Sequence, residues 1–148
     1  GDHRDLHLSI RRQRQMCIRD RYTKRHTGPA WPASRTLRER VGSCRDLAML
    51  MVEACRSVGI PSRFVSGYHF EDPLPNEFDL HAWAELYIPG AGWRGFDPSG
   101  KGLIDERYLT LVSSSKSNLT AVITGNFRGR TNLKNNLSWE IKPLQINK

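Results

Sequence analysis

The chain has 148 residues, enough for one domain with a genuine core, and 38% of them are hydrophobic. Its net charge of +8 suggests a nucleic-acid partner until the charge is located. Residues 1–40 hold 11 Lys and Arg against 4 Asp and Glu, whereas residues 41–148 hold 12 against 11. A nearly neutral body, with no stripe of alternating aromatic and basic residues, excludes a nucleic-acid face. No run approaches the ~18 apolar residues that cross a membrane, and no signal-peptide pattern opens the chain, so neither a membrane nor a secretory route is expected.

Gly1 to Arg21 has no apolar periodicity. Five arginines crowd residues 11–21, and the stretch resembles translated adapter read-through, so residues 1–21 are set aside as a non-native basic leader together with Cys17. The domain is expected to occupy residues 22–148, and a start at Gly1 fits a fragment of something longer.

Gly28-Pro29 and Trp31-Pro32 mark an extended or turning segment. A short helix is predicted over 34–40. A longer one runs from Cys44 to about Val58, where Leu47, Leu50, Met51, Ala54, Cys55 and Val58 repeat at helical spacing. Gly59 and Pro61 stop it. Cys55 falls within the apolar stripe and reads as structural. If the helix is regular, Cys44 and Cys55 lie about 16 Å apart along its axis, too far for a disulfide. Three sparse thiols suggest a reducing, cytoplasmic setting.

From Ser62 the period becomes two. Strands are predicted over 62–69 and 80–88, and residues 71–79 form an acidic loop. Pro89-Gly90-Ala91-Gly92 turns the chain back into a return strand over 93–97. On the 80–88 strand, His81, Trp83, Glu85 and Tyr87 share one face, and Ala82, Ala84, Leu86 and Ile88 the other. Two further strands are predicted over 119–127 and 133–146. One main helix on an antiparallel sheet of about five strands is an α+β arrangement.

The informative stretch is Gly42-Ser43-Cys44-Arg45-Asp46-Leu47-Ala48. Ser43 and Asp46 have capping-box spacing, which makes Cys44 the first helical residue. There its sulfur sits among unpaired backbone N–H groups and the positive end of the helix dipole, which favour a thiolate. Thiol acyl transfer needs that nucleophile, a base to take and return its proton, and a group to orient the base. His81 begins a strand and Asp97 ends the next one, so the hairpin brings those two ends together. The backbone N–H of Cys44 would serve as an oxyanion donor.

These motifs, with Gly59-Ile60-Pro61-Ser62-Arg63-Phe64-Val65-Ser66-Gly67-Tyr68, His81-Ala82-Trp83-Ala84-Glu85 and Gly92-Trp93-Arg94-Gly95-Phe96-Asp97-Pro98, resemble the transglutaminase-like superfamily. Its bacterial members are often labelled cysteine proteases, and the likeness spans about Tyr22 to Phe127. The resemblance implies a papain-like α+β core with Cys44 as nucleophile, His81 as base and Asp97 as orienting group. It implies no metal and no organic cofactor.

Trp83 and Arg45 are the remaining substrate or oxyanion candidates. Trp83 either walls a groove or packs in the core. Arg45 holds the preceding loop, meets a substrate carboxylate, or is simply solvated. His69 reads as a surface residue, and no close-spaced ligand pair supports zinc at Cys44, His81 and Asp97. The expected activity is hydrolysis of a peptide bond or a glutamine side-chain amide, since no device for excluding water is visible. The expected partner is therefore a peptide or protein amide substrate. The rival from another class is a non-catalytic domain that holds a peptide in the same groove.

Overall fold

The computed structural model describes residues 21–25, 27–70, 80–100 and 102–122. Among these, β1 (Arg21–Tyr22) pairs in parallel with β2 (Val41–Gly42), and α1 (Ala33–Glu39) lies between them in the chain. Helix α2 (Cys44–Ser57) follows. The main sheet has the strands β3 (Ser62–His69), β4 (Leu80–Ile88), β5 (Gly92–Asp97), β6 (Gly102–Leu103) and β7 (Tyr108–Ser114), in the spatial order β6-β5-β4-β3-β7. All the pairings in this sheet are antiparallel.

Helix α2 ends as Gly59 and Pro61 require. Gly59 has φ +79°, its N–H reaches the Arg56 carbonyl at 3.0 Å, and the Ile60 N–H reaches that of Cys55 at 2.9 Å. These two bonds form a Schellman motif with glycine in the left-handed position, and they aim the chain back along the sheet. The buried face of α2, with Ala48, Val52 and Cys55, packs on Phe64 of β3 and on Ala82, Ala84 and Leu86 of β4. The helical and two-residue periods thus meet in one core. Each large apolar side chain buried there stabilises the fold by roughly 1.5–3 kcal/mol.

The sheet has its five strands, but two differ from those the sequence led us to expect. Residues 108–114 pair with β3 along one edge, from Phe64↔Ser114 to His69↔Tyr108, and Gly102–Leu103 borders β5. Where a strand from 119 was predicted, Ser117–Leu119 instead makes one 3-10 turn. The rest of that strand, the strand predicted over 133–146 and the acidic loop at 71–79 lie outside the described residues. Tyr-Leu-Thr-Leu-Val over 108–112 has the β-branched and aromatic content of a strand. Its alternation is weak, because β7 lies at the sheet edge with Leu109 and Leu111 exposed.

At Gly67 of β3, the backbone of β7 and the Trp83 side chain of β4 leave no room for a side chain. A Cβ there would lie 2.0 Å from the Leu109 carbonyl oxygen and 2.6 Å from Cη2 of Trp83. The β3–β7 register shifts between Ser66 and Gly67. Trp83, fully buried, occupies the space that a larger residue would need.

Candidate active site

Cys44 is the first residue of α2, as its capping spacing predicts. The Ser43–Asp46 capping box is present, and Asp46 Oδ2 accepts from the Ser43 N–H at 2.9 Å and from the Ser43 hydroxyl at 2.7 Å. Asp46 does more than cap. Its side chain is fully buried, and Oδ1 also accepts from Arg25 Nη2 at 2.6 Å and from the Trp31 N–H at 2.8 Å. Burial works to raise its pKa. The Arg25 guanidinium, the Trp31 N–H and the Ser43 donors outweigh it and hold the carboxyl below its usual range.

Gly42 allows this close approach, since a Cβ there would lie 2.9 Å from Cβ of Asp46. The lead-in segment is thereby fastened to the start of the helix. Arg25 and Arg35 both lie against the Trp31 ring, at 4.8 and 3.8 Å from its centroid.

His81 is the second residue of β4 and Asp97 ends β5. The register that pairs Ala84 with Phe96 brings these ends together. His81 Nε2–H donates to Asp97 Oδ2 at 2.6 Å. Cys44, at the start of α2, lines the same cleft as His81 and favours the charged form of its ring.

Burial disfavours a charged His81, but the hydrogen bond and negative charge of Asp97, helped by the neighbouring Cys44, prevail and push its pKa up to about 9. Asp97 is shifted the opposite way. Burial would raise it, and the bond and charge of His81, with the two Ser99 donors, bring it below the usual carboxylate range. Ser99 supplies its N–H at 2.9 Å and its hydroxyl at 2.6 Å, both to Oδ1. At neutral pH the imidazole is therefore an imidazolium beside an ionised carboxylate.

Cys44 and His81 line a cleft of about 740 Å³, with Thr27, Gly28, Phe64 and Ser66 among its walls. Arg45 also lines it. Its guanidinium donates to the backbone carbonyls of Arg25 and of Thr27, and so holds the loop before the helix. Trp83 lies in the interior and is not among the cleft residues; it meets Tyr108 edge-on with centroids 5.4 Å apart. His69 is not simply on the surface: it is half-buried at the end of β3, with its ring 4.3 Å from that of Tyr108.

Sequence reading missed Arg25, Ser99 and Tyr108. Ser99, two residues after Asp97, has a recognisable turn spacing. Arg25 and Tyr108 reach their carboxylates only through tertiary contacts.

A helix laid across an antiparallel sheet, its first residue a thiol that shares a cleft with an imidazole at a strand end, places the chain in the papain-like class of α+β folds. Residues 7–98 match the model of the Transglutaminase-like superfamily, and the chain belongs to that family. The matched residues include part of the segment that sequence reading set aside as a leader.

A provisionally named cysteine protease from Cytophaga hutchinsonii has a crystal structure that superposes with a TM-score of 0.64 and 29% identity, over 77% of this chain and 38% of that one. An uncharacterised protein of Mycobacterium tuberculosis is 34% identical over 82 residues, which are 49% of this chain and 26% of the relative. The protein-glutamine gamma-glutamyltransferase of Pseudomonas aeruginosa is 37% identical over 67 residues, 40% of this chain and 10% of that protein. The chain therefore spans about a quarter of the mycobacterial relative and a smaller share of the Pseudomonas one.

Proposed function

We propose that the chain carries a thiol acyl-transfer site that acts on amides through Cys44, His81 and Asp97. One observation carries this reading: a half-buried imidazole bonded to a buried carboxylate, in a cleft that a helix-terminal thiol also lines. The Cys44 thiolate attacks the amide carbonyl and forms a tetrahedral oxyanion, which the Cys44 N–H helps to hold. Imidazolium His81 then protonates the leaving amine as the C–N bond breaks, which leaves an acyl-thioester. Neutral His81 takes a proton from water, the hydroxide adds to the thioester, and the acid leaves as the thiolate reforms. Asp97 keeps the imidazole oriented and balances its charge throughout.

The Pseudomonas relative's name favours a glutamine side chain as the acyl donor. Water is the proposed acceptor, because the site opens into a cleft.

The test is alkylation of Cys44 by iodoacetamide at pH 6, in a background of Cys17→Ser and Cys55→Ala, with and without His81→Ala. A thiolate–imidazolium pair predicts a loss of at least about tenfold in rate when His81 is removed. Carbobenzoxy-Gln-Gly is then assayed for ammonia release, with and without hydroxylamine as a competing acceptor. Alkylation indifferent to His81, together with no ammonia release, would leave a peptide-binding domain as the better reading.

A further inference from the structure

Strand β7 brings a fourth side chain to the His81–Asp97 pair. The Tyr108 hydroxyl donates to Asp97 Oδ2 at 3.0 Å, the same oxygen that accepts from His81 at 2.6 Å. The opposite oxygen, Oδ1, is taken by the two Ser99 donors. Asp97, only 3% exposed, thus has four donors among the described residues, and of these Tyr108 alone shares an oxygen with the imidazole. The phenol ring is confined against His69 at 4.3 Å, edge-on to Trp83 at 5.4 Å, and lies 6.1 Å from the His81 ring. Its hydroxyl is therefore aimed by packing.

We propose that Tyr108 is a positioning residue for this site, fixing the Asp97 carboxylate and drawing charge from Oδ2, so that it sets how tightly His81 holds its proton. This inference rests on the acyl-transfer reading of Cys44, His81 and Asp97. A hydrogen bond to an ionised carboxylate stabilises the charge and leaves less of it for a second partner on the same oxygen. Burial and the negative charge of Asp97 raise the phenol's own pKa, so it remains a neutral donor across the working pH range.

The other groups that bear on this cluster have separate roles. Cys44 shares the cleft with His81 from α2, and the His69 ring lies tilted against the phenol from β3. Asp105 and Arg107, just before β7, pair with each other at 2.5 Å, and their effects on the phenol are opposite in sign. Ser99 acts on the other carboxylate oxygen. None of these replaces a donor on Oδ2.

The test is an NMR titration of the His81 imidazole, with the protein labelled in histidine with carbon-13 and the His81 resonance assigned by its loss in His81→Gln. Tyr108→Phe keeps the ring and removes only the donor. The His81 midpoint is expected to rise by about 0.5–1 pH unit, and the alkaline limb of Cys44 alkylation by iodoacetamide to move with it. A midpoint that is unchanged or lower overturns the proposal, since a purely packing role would leave it in place.

If Tyr108→Phe does not fold, 3-fluorotyrosine at position 108 is the second variant. Its more acidic phenol is a stronger donor and should lower the midpoint, and no change would again overturn the proposal. The titration reads the imidazole directly. Cys44 alkylation indifferent to His81, together with no ammonia release from carbobenzoxy-Gln-Gly, would thus sink the acyl-transfer reading separately from this one.

Discussion

Arg25 and Asp46, 21 residues apart, are joined by two hydrogen bonds, 2.6 Å from Nη2 to Oδ1 and 3.3 Å from Nε to Oδ2. The pair ties the segment before α1 to the third residue of the helix that presents Cys44. Asp46 also bonds to both the N–H and the hydroxyl of Ser43, so the position of the thiol depends on a side chain from well upstream.

Removing Arg25 should therefore affect both stability and reactivity. Arg25→Met leaves a fully buried carboxylate with only the Trp31 and Ser43 donors, and breaking such a pair typically costs about 3–5 kcal/mol. The surviving donors bring the expected loss below that range, to roughly 2–3 kcal/mol, read as a lower urea midpoint with an unchanged slope. An unchanged midpoint would show that the pair contributes nothing net.

The His81–Asp97 pair predicts a definite pH dependence of stability. The His81 pKa is about 9 in the folded chain against 6.5 unfolded, so its contribution is fully present below 6.5 and is lost as pH rises through 9. The difference in unfolding free energy between wild type and His81→Gln should shrink by roughly 1–3 kcal/mol from pH 6 to pH 10. A difference that stays flat over that range would contradict the raised imidazole. Asp97, lowered by the same pair, contributes in the opposite sense: its share is present above the unfolded value of 3.8 and is lost as pH falls through the folded one.

Asp97→Asn keeps the volume but presents an amide where the imidazolium needs a negative charge. Ammonia release from carbobenzoxy-Gln-Gly should fall by about 10³–10⁴, the size seen when a triad carboxylate is neutralised. Cys44 alkylation at pH 6 should slow as well. Wild-type rates in this variant would remove Asp97 from the mechanism.

Gly67→Ala should be among the most damaging small changes in the sheet. The new methyl group would lie 2.0 Å from a backbone oxygen of β7 and 2.6 Å from the Trp83 ring, so both contacts have to be relieved. Overpacking of this kind costs roughly 1–3 kcal/mol or more, and here it acts on the strand that carries Tyr108. Hydrogen exchange should show β7 amides losing protection first, and uniform protection across the sheet would argue against this account.

What the sequence determined by itself was whatever is encoded locally. The spacing of Leu47, Leu50, Met51, Ala54 and Cys55 defines α2, Gly59 and Pro61 terminate it, and alternation defines β3 and β4. Ser43 and Asp46 place Cys44 at the helix start, and the short hairpin turn brings Asp97 back to His81, because a tight turn fixes register. The tertiary structure decided what depends on distant partners. Edge strand β7 is half exposed and so lacks a strong alternating pattern, yet it supplies Tyr108 to Asp97. Arg25 looks like one more cation in a basic stretch until Asp46 is buried against it. Trp83 was open to either a groove or a core role, and the missing side chain at Gly67 placed it inside. A hydrogen bond between residues far apart in sequence leaves no period to read, and only the closing of the sheet over the helix selects it.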